Sequence, residues 1–515
     1  MLVVSLLHAV VAIMLAVYGA NSLLLTALYV RRRRQAPAVP PPPGEWPTVT
    51  VQLPVFNELH VVQRLIDAVA GLDYPRDRLQ VQVLDDSTDE TTDLIAGCME
   101  RHRAGGLDIG LWHRDERPGY KAGALAASLP QARGDLIAIF DADFVPPADF
   151  LRRTVPYLTA NPQLGFLQAR WAHLNGDYSA LTQAQTLALD GHFVVEQTVR
   201  QRSGWYFGFN GTAGLWRRSC IDEAGGWQTD TLCEDLDLSY RAQLAGWQGL
   251  YLPDVSAPAE IPPQLAAFKR QQARWATGSI QTFRKLAGQV LRTPRPWLQR
   301  VEGMIHLGAY FCHPLMLLLL LLTLPLLWLG DGAHNPLRWL MTYLGLASAG
   351  PPLLYAVSQW ELHRKRRGRE GWLLRLVHLP ALVLLGTGLA LSNTVAVARG
   401  LAGRSPDFRR TPKFRLENRD DQWQDKRYTL PLEGIVLGEL LVMAYAALTV
   451  VVALVRGQVY AVPFLMLYVL GFGVMVVVGI RQGRKRRSPR RRPAAAGRPA
   501  PVYVEYETMG YEAGK

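Results

Sequence analysis

The chain has 515 residues, of which 49% are hydrophobic and 19% charged, with a formal net charge of +13. It is longer than one ordinary domain, and its mean hydropathy of +0.03 conceals a mixed stretch from about 45 to 290 and six apolar segments (2–30, 303–330, 339–360, 372–398, 431–455 and 461–480), each near the ~20 residues a helix needs to cross hydrocarbon. The basic runs at 31–34, 363–369 and 481–492 abut those segments, which argues for membrane surfaces and against nucleic acid, and Cys98, Cys220, Cys233 and Cys312 show neither CxxC spacing nor a disulfide framework.

Residues 2–30 are too long for a signal-peptide core and lack a positive leader, so they read as a retained anchor. If Arg31–Arg34 are cytosolic, the N-terminus faces outward and the globular part inward. The linker APAVPPPPGEWP (36–47) is proline-rich and expected to be extended. The runs 48–56, 79–85, 107–113, 135–141 and 164–171 read as strands, with helical patterns between the first four. This alternation predicts a mostly parallel sheet with helices on both faces, and ligands then bind beyond the carboxyl ends of the strands.

Acidic residues gather at those ends. Glu58 follows the first strand, Asp85 and Asp86 the second, Asp141 and Asp143 the fourth. Helix capping explains one such acid; three strand ends converging on one rim ask for more, and a hard divalent cation bridging to substrate phosphates suits them. RDERPGYKAGAL (114–125) sets Lys121 between Gly119 and Gly123, where it could reach a phosphate. Neither GxxxxGK[ST] nor GxGxxG stands at a strand end, which disfavours a P-loop kinase or a dinucleotide enzyme.

Further along, FGFNGTAG (207–214) has the small residues that let a backbone approach a ligand. TLCEDLDLSYRAQLAGW (231–247) places Glu234, Asp235 and Asp237 ahead of an apolar run, which suits helix capping as well as chemistry. KRQQARWATGSIQTFRK (269–285) is predicted helical, with Gln271, Arg274 and Trp275 on one face, and doubles as an interfacial amphipathic helix. Trp171 and Trp205 are candidates for offering a ring face to a ligand or for core packing. Counting 372–398 as one crossing would put the basic loop 399–430 and the basic tail outside, so that segment is expected to enter and leave on one side or lie partly in the interface, bending at Pro380, Gly386 or Gly388. Glu439, inside an apolar segment, is expected to line a path between helices or pair with a neighbouring helix.

In order and spacing, DDS (85–87), GYKAGAL (119–125), DAD (141–143), FGFNGTAGLWR (207–217), CEDLDL (233–238), QQARW (271–275) and FRRTPKF (408–414) resemble the membrane-embedded, inverting family 2 glycosyltransferases of the cellulose synthase type, in particular the cellulose-synthase-like mannan and glucan synthases. The resemblance spans about 48 to 414. It implies a GT-A-like α/β domain, with a mostly parallel sheet and helices on both faces, combined with an α-helical transmembrane region. It further implies a nucleotide-sugar donor (UDP-glucose or GDP-mannose), Mg²⁺ or Mn²⁺, and inverting displacement at the anomeric carbon. Asp85 and Asp86 then contact the nucleotide, Lys121 lies near the phosphates, and Asp141 and Asp143 hold metal and diphosphate. Asp235 is the implied general base. Glu234, Gln271, Arg274 and Trp275 border the diphosphate and the acceptor end, and Phe408, Thr411 and Lys413 belong to a gating loop. Ser87 stands where plant cellulose synthases have glycine, and Cys233 where threonine is usual.

The expected organisation is an N-terminal transmembrane helix (1–30), a basic, Pro-rich linker (31–47), a cytosolic catalytic domain ending in the QxxRW helix (48–290), transmembrane or interfacial helices (303–398), a gating-loop-like segment (399–430), a transmembrane hairpin (431–480) and a basic disordered tail (481–515). The protein is expected to be a multi-pass membrane protein, of the inner membrane if its source is bacterial. The expected activity is processive lengthening of a β-linked glucan or mannan, with export of the polymer. Single addition to a lipid acceptor is the alternative; a non-catalytic scaffold or transporter leaves the strand-end acids unexplained. The expected partners are the donor, a polysaccharide or glycolipid acceptor and the bilayer, with no nucleic acid.

Overall fold

The computed structural model describes residues 2–329, 345–364, 370–403, 410–424 and 426–484. Where apolar runs alternate with helical patterns, the backbone follows. β1 (Val49–Val55), β2 (Leu79–Asp85), β3 (Asp108–His113), β4 (Leu136–Ile139) and β5 (Leu164–His173) fall on the five predicted runs. Two strands escape the sequence pattern: β6 (Gly214–Arg217) is only four residues long, and β7 (Gln248–Ala259) carries Pro253, Asp254 and Pro258 in its run.

The seven strands form one sheet in the order β3-β2-β1-β4-β6-β5-β7. β6 runs antiparallel to both β4 and β5, while the remaining pairs are parallel. Every residue of β2 is buried, as a parallel strand covered on both faces requires. Val51, Leu53, Val81 and Phe140 pack on one face of the sheet, and Ile137, Ile139, Phe166 and Trp216 on the other. β1 has β2 on one side and β4 on the other. Strand order reverses there, and a doubly wound sheet opens its ligand crevice at such a switch point.

Among the described residues, five helical segments are long and apolar enough to cross a membrane: Leu2–Arg32, Ala309–Leu329, Gly371–Gly388, Ile435–Val455 and Val459–Gly483. The apolar run 303–330 is divided, because the helix Trp297–Leu307 closes at Gly308 and a second helix, Cys312–Leu329, starts after a short 3-10 turn. The run 372–398 is divided as well. Leu379–Gly388 packs on Val462–Arg484, the chain breaks at Leu389, and Ala390–Leu401 lies along the helix Leu265–Arg292. Gly388, beside this break, is packed against Gly471 and Met475. Of the run 339–360, residues 345–360 are described, and Gly350–His363 is a helix packed on Leu2–Arg32. The tail beyond Arg484 lies outside the described residues.

Glu439 takes the pairing option. Its carboxylate lies 2.5 Å from Lys269 Nζ, with both side chains buried. Arg270 meets Glu433 at 2.6 Å, and Gln482 Oε1 accepts from the Leu265 N–H at 2.8 Å. The start of the long helix Leu265–Arg292 is thus tied to the last two apolar helices.

Candidate active site

The ends of β1, β2 and β4 open into a cleft of about 1290 Å³, counting its mouth. Residues 54–56 and Asp86 line the donor-side rim, Gln271, Arg274 and Trp275 the helical wall, and Arg410, Thr411 and Lys413 the cover.

The paired aspartates after β2 face different ways. Asp85 is fully buried and turned inward, accepting from Ser87 N–H (3.0 Å) and Thr92 Oγ1 (2.6 Å) and lying 2.9 Å from His113 Nδ1. It does not line the cleft, so the expectation of a nucleotide contact passes to Asp86 alone. Asp86 borders the cleft and is gripped by Arg114 through two bonds of 2.7 Å, with Arg117 at 3.5 Å. The Arg117 guanidinium lies 3.3 Å from the Phe56 ring centroid, a cation–π contact that fixes the rim.

Lys121 starts the helix Tyr120–Ser128, just after Gly119 at φ 69°. Its ammonium donates to Asp141 Oδ1 (2.5 Å) and the Gly211 carbonyl (2.8 Å), with Glu234 at 3.8 Å. Burial works against this charge, but Asp141 and Glu234 hold its pKa above the usual lysine value. Asp143 binds Lys413 at 2.5 Å. The cover is clasped from two further strand ends. Glu58, after β1, meets Arg410 at 3.0 Å, and Glu260, after β7, accepts from the Phe414 N–H (2.7 Å) and the Leu416 N–H (3.3 Å). Burial pushes Glu58 up to about 8 against the pull of Arg410 and Lys413, and burial also raises Glu260. Phe408 lies outside the described residues.

Glu234 and Asp235 begin the helix Glu234–Leu244, and both line the cleft. Burial, then repulsion from Glu234, pushes the Asp235 carboxyl up to about 7, with Lys121 opposing. Gly211, at φ +79°, stands where a Cβ would be 3.0 Å from Asp235 Oδ2, so only glycine lets the backbone pass the acid. Asp237 faces away and pairs with Arg241 (2.7 Å) and Lys285 (2.9 Å); neither Glu234 nor Asp237 is the helix cap that the sequence allowed. Cys233 packs its sulfur 2.4 Å from where a Gly278 Cβ would lie and 3.8 Å from the Trp275 carbonyl oxygen. It buttresses the QxxRW helix.

Trp171 lines the cleft, edge-on to Phe144, with its indole N–H buried and unpaired, whereas Trp205 packs in the core with Leu25 and Tyr29. Arg114, Arg117, Asn210, Glu260 and Arg410 were not singled out from the sequence. Asn210 lay in the glycine-rich stretch that pointed here; Glu260 had no signal, because its strand had none.

Among the described residues no group of three or more His, Cys, Asp and Glu stands ready to enclose a metal. Two carboxylates on one rim still fit a divalent cation that takes its other oxygens from a diphosphate and water. A lysine ammonium 2.5 Å from each of Asp141 and Asp143 marks both as places where the fold holds positive charge.

Residues 47–278 match the family described as "Glycosyltransferase like family 2". Glucomannan 4-beta-mannosyltransferase 9 of Arabidopsis thaliana is 48% identical over 265 residues, 51% of this chain and 50% of its own. Glucomannan 4-beta-mannosyltransferase 1 of Oryza sativa subsp. japonica is 46% identical over 254 residues, 48% of this chain and 49% of its own. The chain thus spans about half the length of these curated relatives. Glucomannan 4-beta-mannosyltransferase 7 of Arabidopsis thaliana is matched more fully, at 35% identity over 449 residues, 84% of this chain and 77% of its own. A mannosyltransferase from Pyrobaculum calidifontis, solved in complex with GDP-Man and Mn²⁺, overlaps 76% of this chain and 99% of its own at TM-score 0.48 and 23% identity. The curated relatives named are plant proteins, so placement in a bacterial inner membrane has no support.

Proposed function

The chain belongs to glycosyltransferase-like family 2, and from that premise we propose that it is a processive β-mannan synthase taking mannose from GDP-mannose. The observation that carries the proposal is the meeting, in one cleft, of an acid with a raised pKa (Asp235), a phosphate-reaching lysine (Lys121) and the QxxRW side chains. The relatives' names favour mannose over glucose.

In this reading the acceptor hydroxyl lies against Asp235, which takes its proton as the new bond to the anomeric carbon forms. The bond from that carbon to the diphosphate breaks at the same time on the opposite face, so the configuration inverts and the nucleoside diphosphate leaves with the electron pair. One base suffices, and no covalent enzyme intermediate is needed. Lys121 and Arg274, which line the same cleft, would stabilise the departing charge electrostatically. Asp141 and Asp143 would hold Mg²⁺ or Mn²⁺, which when bound neutralises the diphosphate. Trp275 offers a ring face to the acceptor sugar. Arg31–Arg34 beside the first apolar helix favour a cytosolic cleft, with the polymer leaving through the apolar helices.

Purified full-length protein, offered GDP-mannose or UDP-glucose with Mg²⁺ or Mn²⁺, tests this. The expected product is high-molecular-weight and cut by a β-mannanase. A glucanase-sensitive polymer would reassign the donor, an organic-extractable glycolipid would replace processive synthesis by single addition, and no turnover of any donor would remove the enzyme reading.

A further inference from the structure

We infer that His192 is a positioning residue that acts through Asn210 to seat a hydroxyl of the acceptor sugar beside Asp235; the inference rests on the transferase reading above. Residues Gly191–Gln197 form a π-helical turn between the helices Ala180–Asp190 and Thr198–Arg202. Such wide turns re-aim side chains and recur at functional sites. From this turn His192 and Gln197 reach the loop that precedes β6, and Glu196 backs His192.

The donors and acceptors run in a single consistent order. Arg200 anchors the far end, with Nη1 donating to Glu196 at 3.0 Å and Nε to Glu302 at 2.9 Å. Burial works against the Glu196 charge, but Arg200 and His192 hold its pKa below the usual carboxylate range, so Glu196 only accepts. His192 Nδ1, 3.1 Å from Glu196 Oε2, therefore carries the ring proton. The ring's Nε2 is left to accept from Asn210 Nδ2 at 3.1 Å. On the other side of the same amide, Gln197 Nε2 donates to Asn210 Oδ1 at 2.6 Å and to the Gly208 carbonyl at 2.7 Å.

Both ends of the Asn210 amide are thus fixed, and reversing it would set donor against donor and acceptor against acceptor. The amide's direction is set by these two contacts, while Gln197 Oε1 and Glu302 Oε2 in the same group of side chains have no hydrogen-bond partner. Asn210 borders the cleft and immediately precedes Gly211, the glycine that touches Asp235. Its second amide N–H and second oxygen lone pair remain for a ligand. An oriented amide beside a general base is the chemistry that recognises a sugar hydroxyl, which both donates and accepts. His192 never touches the sugar; it sets which way the amide faces.

The test is a double-mutant cycle in the full-length protein. His192→Leu should lower turnover at saturating donor about tenfold, the worth of the one hydrogen bond that orients the Asn210 amide, while the donor KM and the GDP dissociation constant stay within about twofold. His192→Gln, which can present an acceptor near the Nε2 position, should restore most of that loss. Asn210→Ala should cost a similar factor, and adding His192→Leu to it should cost little more, because the effect of His192 passes through the amide. A His192→Leu penalty that persists in full in the Asn210→Ala background, or that appears in the donor KM, overturns the inference while wild-type turnover leaves the transferase reading standing. Wild-type protein that turns over no donor overturns both.

Discussion

Asp235→Asn separates the chemistry of the base from its cost to the fold. Burial and Glu234 push the Asp235 carboxyl from an ordinary 3.8 to about 7. The unfolded chain thus loses this proton near pH 4, whereas the folded protein keeps it to about pH 7. Stability from this group is undiminished below pH 4, falls as pH rises from 4 to 7, and stays at its low level above. At ~1.4 kcal/mol per pH unit that interval amounts to about 4 kcal/mol. Asp235 is partly open to the cleft, and solvent screening reduces the realised penalty to ~1–2 kcal/mol. The amide of asparagine carries no charge and escapes it. Thermal unfolding of variant and wild type side by side should therefore show Asp235→Asn more stable at pH 8, by an amount that shrinks toward zero at pH 4.5. Turnover should fall by at least ~10³-fold, with GDP binding within about twofold. In the wild type, kcat/KM should rise with pH to a plateau above about 7. Near-normal turnover by the variant removes Asp235 as the base. Lower stability of the variant at pH 8 than at pH 4.5, relative to wild type, removes the electrostatic account.

Three other perturbations probe separate parts of the molecule. Glu439→Gln strands Lys269 in an apolar setting and should destabilise by ~3–5 kcal/mol, whereas Lys269→Met with Glu439→Leu should be close to neutral; an unchanged unfolding temperature for the single variant would count against the pair. Gly211→Ala puts a Cβ 3.0 Å from Asp235 Oδ2 at a φ of +79°, so the acid must give way by a few tenths of an ångström beside a strained backbone; turnover should drop ~10-fold, short of the ~100-fold that a displacement of about an ångström costs, with GDP affinity little changed by calorimetry. Lys413→Met frees Asp143 of its ammonium and should tighten Mn²⁺ binding ~3–10-fold in a nucleotide-free titration followed by electron paramagnetic resonance; an affinity that stays the same or weakens would argue that Asp143 is not a ligand position.

What the sequence disclosed, and what it hid, follows from the range of the forces involved. β1 and β2 were legible because Val49, Val51, Leu53 and Val55, and Leu79, Val81 and Val83, alternate along their runs, and β4 because its run is continuously apolar. β7 was not, because its pairing with β5 skips from Leu252 to Ser256 across Pro253, and a strand with a bulge needs no clean pattern. Glu260, at its end, was hidden with it. The two aspartates after β2 looked equivalent, yet successive side chains leave a strand toward opposite faces; Asp85 therefore turns in to Ser87, Thr92 and His113 while Asp86 turns out to Arg114. Local spacing could place acids on the rim but could not say what each one holds. Lys413, the partner of Asp143, is 270 residues away, and Arg410, the partner of Glu58, lies on the same distant segment. A carboxylate at a strand end is a cation site by position, and tertiary contact decides whether an ammonium or a metal fills it. A divalent cation that took Asp143 would compete with the Lys413 ammonium, which would have to yield that carboxylate first.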